Sequence, residues 1–316
     1  MSDLRELSEI VLSLVPKKRV FIQGSAFVDM IIQIEELPHS GADVEGHYRK
    51  TTVGGCSFNV ADVLQKLGLP FDALMPVGQG MFADLVEKTF RERGYPVVRV
   101  PGAVDNGWCL SLAERSGERT FISMFGIERH MEPEWFDAFD LASYDFIYVS
   151  GYQAEGENGA MLLSLLKTRM GPATTVVFDP GPRVHDMPRE RIDAFFDLGA
   201  MFTVNADEAQ ALTGEKTPEA AAAALWRRSG RPAVVTDGGR GAVVADGDVR
   251  RIPGFPVAVV DTIGSGDAHT GGVIAGLMCG LTLDESVLLA NAVASFVTGS
   301  EGAATAPTRG ELLSAK

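Results

Sequence analysis

The residues with the clearest chemical potential form a glycine-rich run that leads into a helix predicted at residues 267–279. Gly264, Ser265 and Gly266 are small enough for the backbone to approach a ligand closely, and the helix would point unpaired N–H groups at an anion. Such an arrangement stabilises the oxyanions of a phosphoryl group in transfer. Asp267 stands at the mouth of this site, where its carboxylate could take a proton from an attacking hydroxyl. Taken alone, the same residues also fit a glycine-rich turn with Asp267 as the helix N-cap.

A second glycine-containing segment lies much earlier in the chain and also enters a predicted helix. Gly54 and Gly55 precede Asn59, which stands at the start of that helix. Together, this segment and the run 261–274 resemble the two signatures of the ribokinase/PfkB carbohydrate kinase family, in that family's order. The resemblance extends roughly over residues 19–313.

The resemblance implies a ribokinase-like three-layer α/β/α fold, with a mostly parallel central sheet and a small β lid. It also implies transfer of the ATP γ-phosphoryl group to a hydroxyl of a small sugar, with Mg²⁺ as the metal, and it allows a homodimer formed through the lid. A nucleoside kinase of the same family and a ligand-binding regulator without turnover remain alternatives. A Rossmann dehydrogenase is excluded because no Gly-x-Gly-x-x-Gly motif follows the first strand.

The family's substrate-binding residues carry over to matching positions of this chain. Asp29 follows the first predicted strand, and a carboxylate there would accept two vicinal sugar hydroxyls. Gly54 and Gly55 would let backbone amides reach sugar oxygens, while Asn59 would offer a donor and an acceptor to the same ring. Gln153 lies past a strand end, where related kinases place a glutamate.

The resemblance assigns the nucleotide side as well. Asn205 and Glu208 match the family's Asn-x-x-Glu motif, which organises the phosphates and Mg²⁺, often through water. The residue types around Asp261 permit a monovalent cation such as K⁺ but do not require one. The other nucleotide-binding positions are Thr236, Gly238 and Gly241 in a glycine-containing hairpin and Asn291 in a late helix.

An alternation of strand and helix patterns positions these residues. Apolar strands separated by helices indicate a parallel sheet that is covered on both faces. Residues 31–52 and 106–126 depart from this alternation, because their strand-like runs have no helix between them. This pattern predicts a small antiparallel excursion that serves as the lid. The pattern over residues 242–252 predicts a hairpin. Strands are predicted at residues 19–24, 71–77, 146–150, 174–179, 201–204 and 233–236, and helices at 58–67, 82–93, 159–170, 188–196, 218–228, 267–279 and 283–297.

Composition narrows the class of protein and its compartment. The 316 residues contain no linker or fixed-period repeat, which favours a single kinase domain over residues 19–316 after a helical extension over residues 1–18. A net charge of −14 argues against nucleic acid or an anionic membrane surface as a partner. With only 3 cysteines and no recognisable signal peptide or transmembrane stretch, we expect a cytoplasmic protein without a disulfide framework.

Overall fold

The computed structural model describes residues 2–116 and 118–314, which divide into two compact units. The first unit contains the residues up to Gly24, the segment Asn59–Leu74 and the residues from Glu132 onward. The second unit contains Ser25–Phe58 and Met75–Met131. Each unit has its own sheet, and the two are described separately.

Helices and strands alternate through most of the described chain. The helices are α1 Ser2–Ser13, α2 Cys56–Lys66, α3 Met81–Arg93, α4 Gly156–Arg169, α5 Arg189–Asp197, α6 Ala206–Thr213, α7 Pro218–Ser229, α8 Ser265–Met278, α9 Leu283–Thr298 and α10 Arg309–Ser314. The strands are β1 Val20–Gln23, β2 Phe27–Ile34, β3 His47–Gly54, β4 Asp72–Leu74, β5 Pro76–Val77, β6 Val98–Arg99, β7 Trp108–Glu114, β8 Arg119–Met124, β9 Phe146–Ser150, β10 Thr175–Asp179, β11 Met201–Asn205, β12 Ala233–Thr236, β13 Ala242–Ala245 and β14 Val249–Ile252.

The first unit is built on an eight-stranded sheet in the order β14-β13-β12-β11-β10-β9-β1-β4. The pairs from β4 to β12 are parallel, and the two pairs that β13 makes are antiparallel. Every residue of β1 and β9 is buried. Strands that are buried on both faces require a cover on each side of the sheet, as in a three-layer α/β/α arrangement.

Polar residues end the neighbouring parallel strands at one edge of this sheet. Asp179 ends β10 and pairs with Ser150, the last residue of β9. Asn205 ends β11 and pairs with Thr236, the last residue of β12. In open α/β sheets, ligands bind in the crevice outside the carboxyl ends of the strands, so this edge is where a site is expected.

Glycines let α8 and α9 pack backbone against backbone. A Cβ atom on Gly272 would lie 2.5 Å from Cα of Ala290, and one on Gly276 would lie 2.6 Å from Cα of Ser286. Nearly all of α8 after its first turn is buried. The middle of α8 is therefore held against α9 by close backbone contacts. On another side of the unit, α1 packs against α9 and α10.

The second unit contains a four-stranded sheet in the order β3-β2-β7-β8 and a small pair, β5 and β6. Strands β3 and β8 are antiparallel to their neighbours, whereas β2 and β7 run parallel. Phe58 stacks on Phe90, with ring centroids 6.0 Å apart, and both rings meet Tyr95 edge-on. These buried rings form the aromatic core of the unit.

Most predicted elements are confirmed with their ends shifted by a few residues, including the hairpin of β13 and β14. The prediction of one continuous strand over residues 71–77 is wrong. The chain forms β4 and β5 in different sheets, because Pro76 has no N–H with which to continue the first ladder. The purely antiparallel excursion is wrong as well, since the long connection through α2 and α3 lets β7 return parallel to β2. Asp29 follows the first strand, as predicted, and lies inside β2.

We predict that Gly272→Ala destabilises the protein, although alanine is the better helix former. The new Cβ would meet backbone atoms of Ala290 that cannot rotate away, so overpacking should cost about 1–3 kcal/mol of unfolding free energy. Gly310→Ala in α10 is the control, because its Cβ would meet only Oγ1 of Thr308, at 3.9 Å. Urea denaturation measures both variants. Equal stabilities would contradict the close packing of α8 on α9.

Candidate active site

The glycine-rich run forms an uncapped helix start. Gly264 is the N-cap of α8 with φ 76°, a left-handed conformation that favours glycine, and as a glycine it supplies no side-chain capping hydrogen bond. A Cβ on Gly264 would lie 2.7 Å from Cβ of Ala303, whereas one on Gly266 would meet nothing within 4 Å. The loop is thus packed on one side and open at Gly266. The first N–H groups of a helix have no partner within the helix and point towards a site where an anion could bind; that of Ser265 donates to the Thr262 carbonyl oxygen at 3.3 Å.

Asp261 stabilises the glycine-rich loop before α8 through hydrogen bonds to its side chain. Its carboxylate accepts hydrogen bonds from the backbone N–H of Ile263 at 3.0 Å and from that of Gly302 at 3.2 Å, and its side chain is buried. Both oxygens therefore connect the run to the segment after α9. A monovalent cation beside Asp261 would depend mainly on backbone carbonyl groups.

Asn59 contacts the Asp267 carboxylate directly. Its Nδ2 donates to Oδ2 of Asp267 at 2.7 Å, and the two residues lie 208 positions apart in the chain. Oδ1 of Asn59 is buried and, within the part of the chain that the structure describes, has no hydrogen-bond partner. The donated bond fixes the orientation of the carboxylate. Oδ1 of Asn59 remains as an acceptor that could receive a hydrogen bond from a hydroxyl group.

Three carboxylates lie near one another in the first unit: Asp179, Glu208 and Asp267. Burial raises the pKa of Asp179 well above its usual range, and repulsion by the charges of Glu208 and Asp267 raises it further. Asp179 accepts hydrogen bonds from the Thr270 hydroxyl at 3.0 Å and from the Gly181 N–H at 3.1 Å. We name Asp179, Glu208 and Asp267 the acidic cluster.

The sequence analysis assigned no role to Asp179 or Thr270. The available signal was a carboxylate directly after an apolar strand, at residues 175–179. Nothing local indicates that Thr270, 91 positions further on, would reach it.

The Asn-x-x-Glu stretch forms a capping box at the start of α6. Asn205 accepts a hydrogen bond from the Glu208 N–H, and Glu208 Oε2 accepts one from the Asn205 N–H, each at 2.9 Å. Burial raises the pKa of Glu208, and the nearby charges of Asp207 and Asp267 contribute in the same direction. The cap therefore fixes a carboxylate beside two others.

The negative charge of the acidic cluster would favour the binding of Mg²⁺ together with the phosphates of a ligand. Among residues 2–116 and 118–314, no group of three His, Cys, Asp or Glu side chains is arranged to hold a metal ion by itself. Mg²⁺ usually keeps several waters and binds through one or two carboxylates together with substrate phosphates. The raised pKa values of Asp179 and Glu208 indicate carboxylates whose repulsion a divalent cation would relieve.

The other predicted nucleotide-side residues form a second group within the first unit. Thr236 ends β12, and the following turn contains Gly238 and Gly241, closed by a hydrogen bond from the Asp237 N–H to the Gly241 carbonyl at 2.8 Å. Asn291 is buried in α9, where its amide contacts other protein groups. Gln153, which is predicted on the substrate side, is buried after β9, and its Oε1 lies 3.5 Å from Nε2 of Gln23.

In the second unit, Asp29, Gly54 and Gly55 lie together. A Cβ on Gly54 would stand 2.5 Å from Oδ2 of Asp29, so a side chain at this position would displace the carboxylate. Gly55 has φ 101°, and its Cβ would be 3.1 Å from the Ser25 carbonyl oxygen. Burial raises the pKa of Asp29 to about 6.

A family model described as pfkB family carbohydrate kinase matches residues 17–309. The chain belongs to this family. The uncharacterized sugar kinase YegV of Escherichia coli is 36% identical over 318 residues, which cover 99% of this chain and 98% of that protein. An ATP-dependent ribose-1-phosphate kinase of Halopiger xanaduensis is 25% identical, over 92% of this chain and 95% of its own length.

Solved structures agree on the fold. The ribokinase of Giardia lamblia superimposes with a TM-score of 0.81 at 20% identity and covers 94% of this chain and 99% of its own. The predicted ribokinase-like α/β class is therefore confirmed. As a PfkB-family kinase, the protein is a phosphotransferase that acts on an alcohol group, and its family implies the use of ATP. In the described residues, no helix has the length and apolar character needed to cross a membrane.

We predict that Asp29→Asn stabilises the protein at pH 8 and has less effect at pH 5. Because the pKa of Asp29 is about 6 in the folded state against 3.8 for an aspartate side chain exposed to water, folding favours its protonated form. Stability is thus lost as the pH rises from 3.8 to about 6 and does not fall further above that range, and a neutral amide removes the loss. Urea denaturation at both pH values measures the difference. Asp43→Asn, which alters an exposed carboxylate of the same unit, is the control. A gain for Asp29→Asn that is equal at the two pH values would contradict the raised pKa.

Proposed function

We propose that the protein transfers the γ-phosphoryl group of ATP to a hydroxyl of a free small sugar, with Asp267 as the general base. The observation that carries this proposal is the position of Asp267. Its carboxylate lies in the first turn of an uncapped helix and is oriented by Asn59 at 2.7 Å. The proposed base and the proposed anion site would then belong to the same helical turn, which would keep the hydroxyl proton and the transferring phosphoryl group close to their respective partners.

The proposed reaction needs little covalent chemistry from the protein. The sugar hydroxyl gives its proton to the Asp267 carboxylate while its oxygen forms a bond to the γ-phosphorus. The bond from that phosphorus to the oxygen of ADP breaks, and the proton passes from Asp267 to solvent afterwards. Charge on the transferring group would be stabilised by the backbone N–H groups of Gly264, Ser265, Gly266 and Asp267.

Glu208 is the proposed metal-side residue, together with Asp179. Mg²⁺ bound with the nucleotide would neutralise phosphate charge, and these carboxylates would hold it through water. Asn205 would fix Glu208 through the capping box, while Thr236, Gly238, Gly241 and Asn291 are the proposed nucleotide contacts. A requirement for K⁺ near Asp261 remains an open prediction.

Asp29, Gly54, Gly55, Asn59 and Gln153 are the proposed acceptor-binding residues. Support comes from the Asp29 carboxylate, which the missing Cβ of Gly54 accommodates, and from the buried Oδ1 of Asn59. Polar groups of this kind discriminate sharply, because a substrate without the matching hydroxyl leaves them unpaired. A furanose-type sugar or a close relative is the proposed acceptor.

We also propose a domain organisation, an oligomeric state and a cellular compartment for the protein. Residues 19–316 would act as one kinase domain with the sheet of the second unit as its lid. A homodimer through this sheet is supported by its edge strand β8, where Phe121 and Ile122 are 52% and 48% exposed. The cytoplasm is the proposed compartment, which suits Cys56, Cys109 and Cys279, since none of them forms a disulfide within the described residues.

A substrate panel tests the proposed function. ADP release is measured with ribose, fructose, 2-keto-3-deoxygluconate, adenosine, cytidine and pseudouridine under one set of conditions, and a sugar is expected to give the highest kcat/KM. If a nucleoside exceeds every sugar by about tenfold, which is about 1.4 kcal/mol of transition-state preference, the acceptor is a nucleoside instead. Binding of a panel member without any ADP release would favour the ligand-binding regulator.

We predict that Glu208→Gln raises the Mg²⁺ concentration needed for half-maximal rate while the KM for the acceptor changes little. The substitution removes the charge but keeps a carboxamide oxygen that can accept the Asn205 N–H in the capping box. Asp207→Asn, which alters the exposed neighbouring carboxylate, is the matched control and should behave like the wild type. Mg²⁺ titrations of Glu208→Gln that superimpose on those of the wild type would remove Glu208 from this role.

A further inference from the structure

His269 is a buried side chain of the first unit that the proposed mechanism does not use. It lies in α8, two residues after Asp267, and only 3% of it is exposed. Its Nε2 lies 3.0 Å from Oδ1 of Asn291 in α9. Nδ1 is buried and finds no hydrogen-bond partner among the residues that the structure describes. The imidazole therefore makes one strong polar contact, and that contact joins two helices.

Asn291 fixes the direction of this hydrogen bond. Its Nδ2 donates to the carbonyl oxygens of Ile252 at 3.2 Å and Pro253 at 2.9 Å. A flipped amide would set its oxygen against these two carbonyl oxygens, so the orientation is determined. Oδ1 must then face His269, and the imidazole must donate from Nε2. His269 is held as the neutral Nε2–H tautomer.

The two carbonyl groups that Asn291 holds belong to the segment 252–254, which supports the turn after β12. A Cβ on Gly241 would lie 2.5 Å from the backbone nitrogen of Gly254, and one on Gly254 would lie 2.8 Å from the carbonyl oxygen of Gly239. The turn and the segment are thus in backbone contact. A displacement of the segment towards the turn must move the turn, since the atoms in contact are backbone atoms and not the ends of flexible side chains.

We propose that the His269–Asn291 hydrogen bond is a positioning device that holds the turn over residues 237–241 in place relative to the start of α8. His269 orients the Asn291 amide, the amide holds the segment 252–254, and the segment holds the turn. The effect of the device on catalysis rests on the proposed function, in which this turn contacts the nucleotide. His269 is accordingly a positioning residue and touches no substrate.

The test compares His269→Gln with His269→Met. Glutamine can place a donor where Nε2 stands, whereas methionine has the same length and no donor, so the pair differs in the hydrogen bond and little in volume. His269→Leu is a second donor-free variant if methionine does not fold. Thermal unfolding first establishes that each variant is folded. Hydrogen exchange of the free protein then reports on the turn, and steady-state kinetics reports KM for ATP and for the acceptor.

The expected result separates the two substitutions. His269→Met should speed exchange at residues 237–241 and 252–254 and raise KM for ATP about three- to tenfold, the equivalent of one buried hydrogen bond, while KM for the acceptor changes less than about twofold. His269→Gln should stay close to the wild type in both measurements. If His269 had only a structural role, His269→Met would lower the stability of the protein without raising KM for ATP more than KM for the acceptor.

A double mutant shows whether His269 acts through Asn291. Asn291→Ala should speed exchange in the same two segments, and adding His269→Met to it should have no further effect, because both substitutions break one connection. Fully additive effects would overturn the proposal.

The remaining outcomes keep the two proposals apart. Identical exchange and identical KM for ATP in His269→Gln and His269→Met would overturn the positioning device, as would faster exchange in an active enzyme whose KM for ATP is unchanged. If the wild type shows no ATP turnover with any acceptor but the exchange difference is present, the device is supported and the proposed function fails.

Discussion

Like charges held close together are the constraint on which the site depends. Asp179, Glu208 and Asp267 lie near one another in a partly buried place, where desolvation and repulsion by the neighbouring charges raise the pKa values of Asp179 and Glu208. Such an arrangement costs folding free energy, and it persists because the surrounding structure holds each carboxylate separately. Thr270 and the Gly181 N–H hold Asp179, the capping box holds Glu208, and Asn59 holds Asp267.

The fold supplies these supports through rigid elements. Parallel strands β10 and β11 end at the same sheet edge, which places Asp179 close to the start of α6. The glycines of α8 let that helix lie against α9 with backbone contacts, so the first turn of α8 has little freedom to retreat from the other carboxylates. A cation-bound polyphosphate would relieve the repulsion, which supports the proposal that a nucleotide binds at this edge.

Local patterns made much of this predictable from the sequence. The run 264–267 could be assigned because glycine spacing and a carboxylate at a helix start are adjacent in the chain, and the alternation of strands and helices gave the sheet. Contacts between distant residues could not be found in this way. Asn59 and Asp267 are separated by 208 positions, and Asp179 meets Thr270 across 91.

The strand directions of the second unit were also beyond a local pattern. A period-two alternation does not report whether β7 returns parallel or antiparallel to β2, because the connecting helices decide it. Asn291 is a similar case. Its polar character in an apolar helix was visible, whereas its two bonds to the carbonyl groups of Ile252 and Pro253 depend on packing between elements. Local sequence patterns therefore predict the helices and strands. Strand direction and the contacts between distant residues depend on how these elements pack, so local patterns do not predict them.

The central claim is that Asp267 acts on the hydroxyl proton and is not needed for binding. The most direct measurement compares wild type and Asp267→Asn in single-turnover phosphoryl transfer, together with calorimetric binding of ADP and of the preferred acceptor. The account predicts a loss of about 10²–10⁴ in turnover, the range of a general base, with both affinities within about threefold of the wild type. Near-wild-type turnover in a folded Asp267→Asn protein would contradict it.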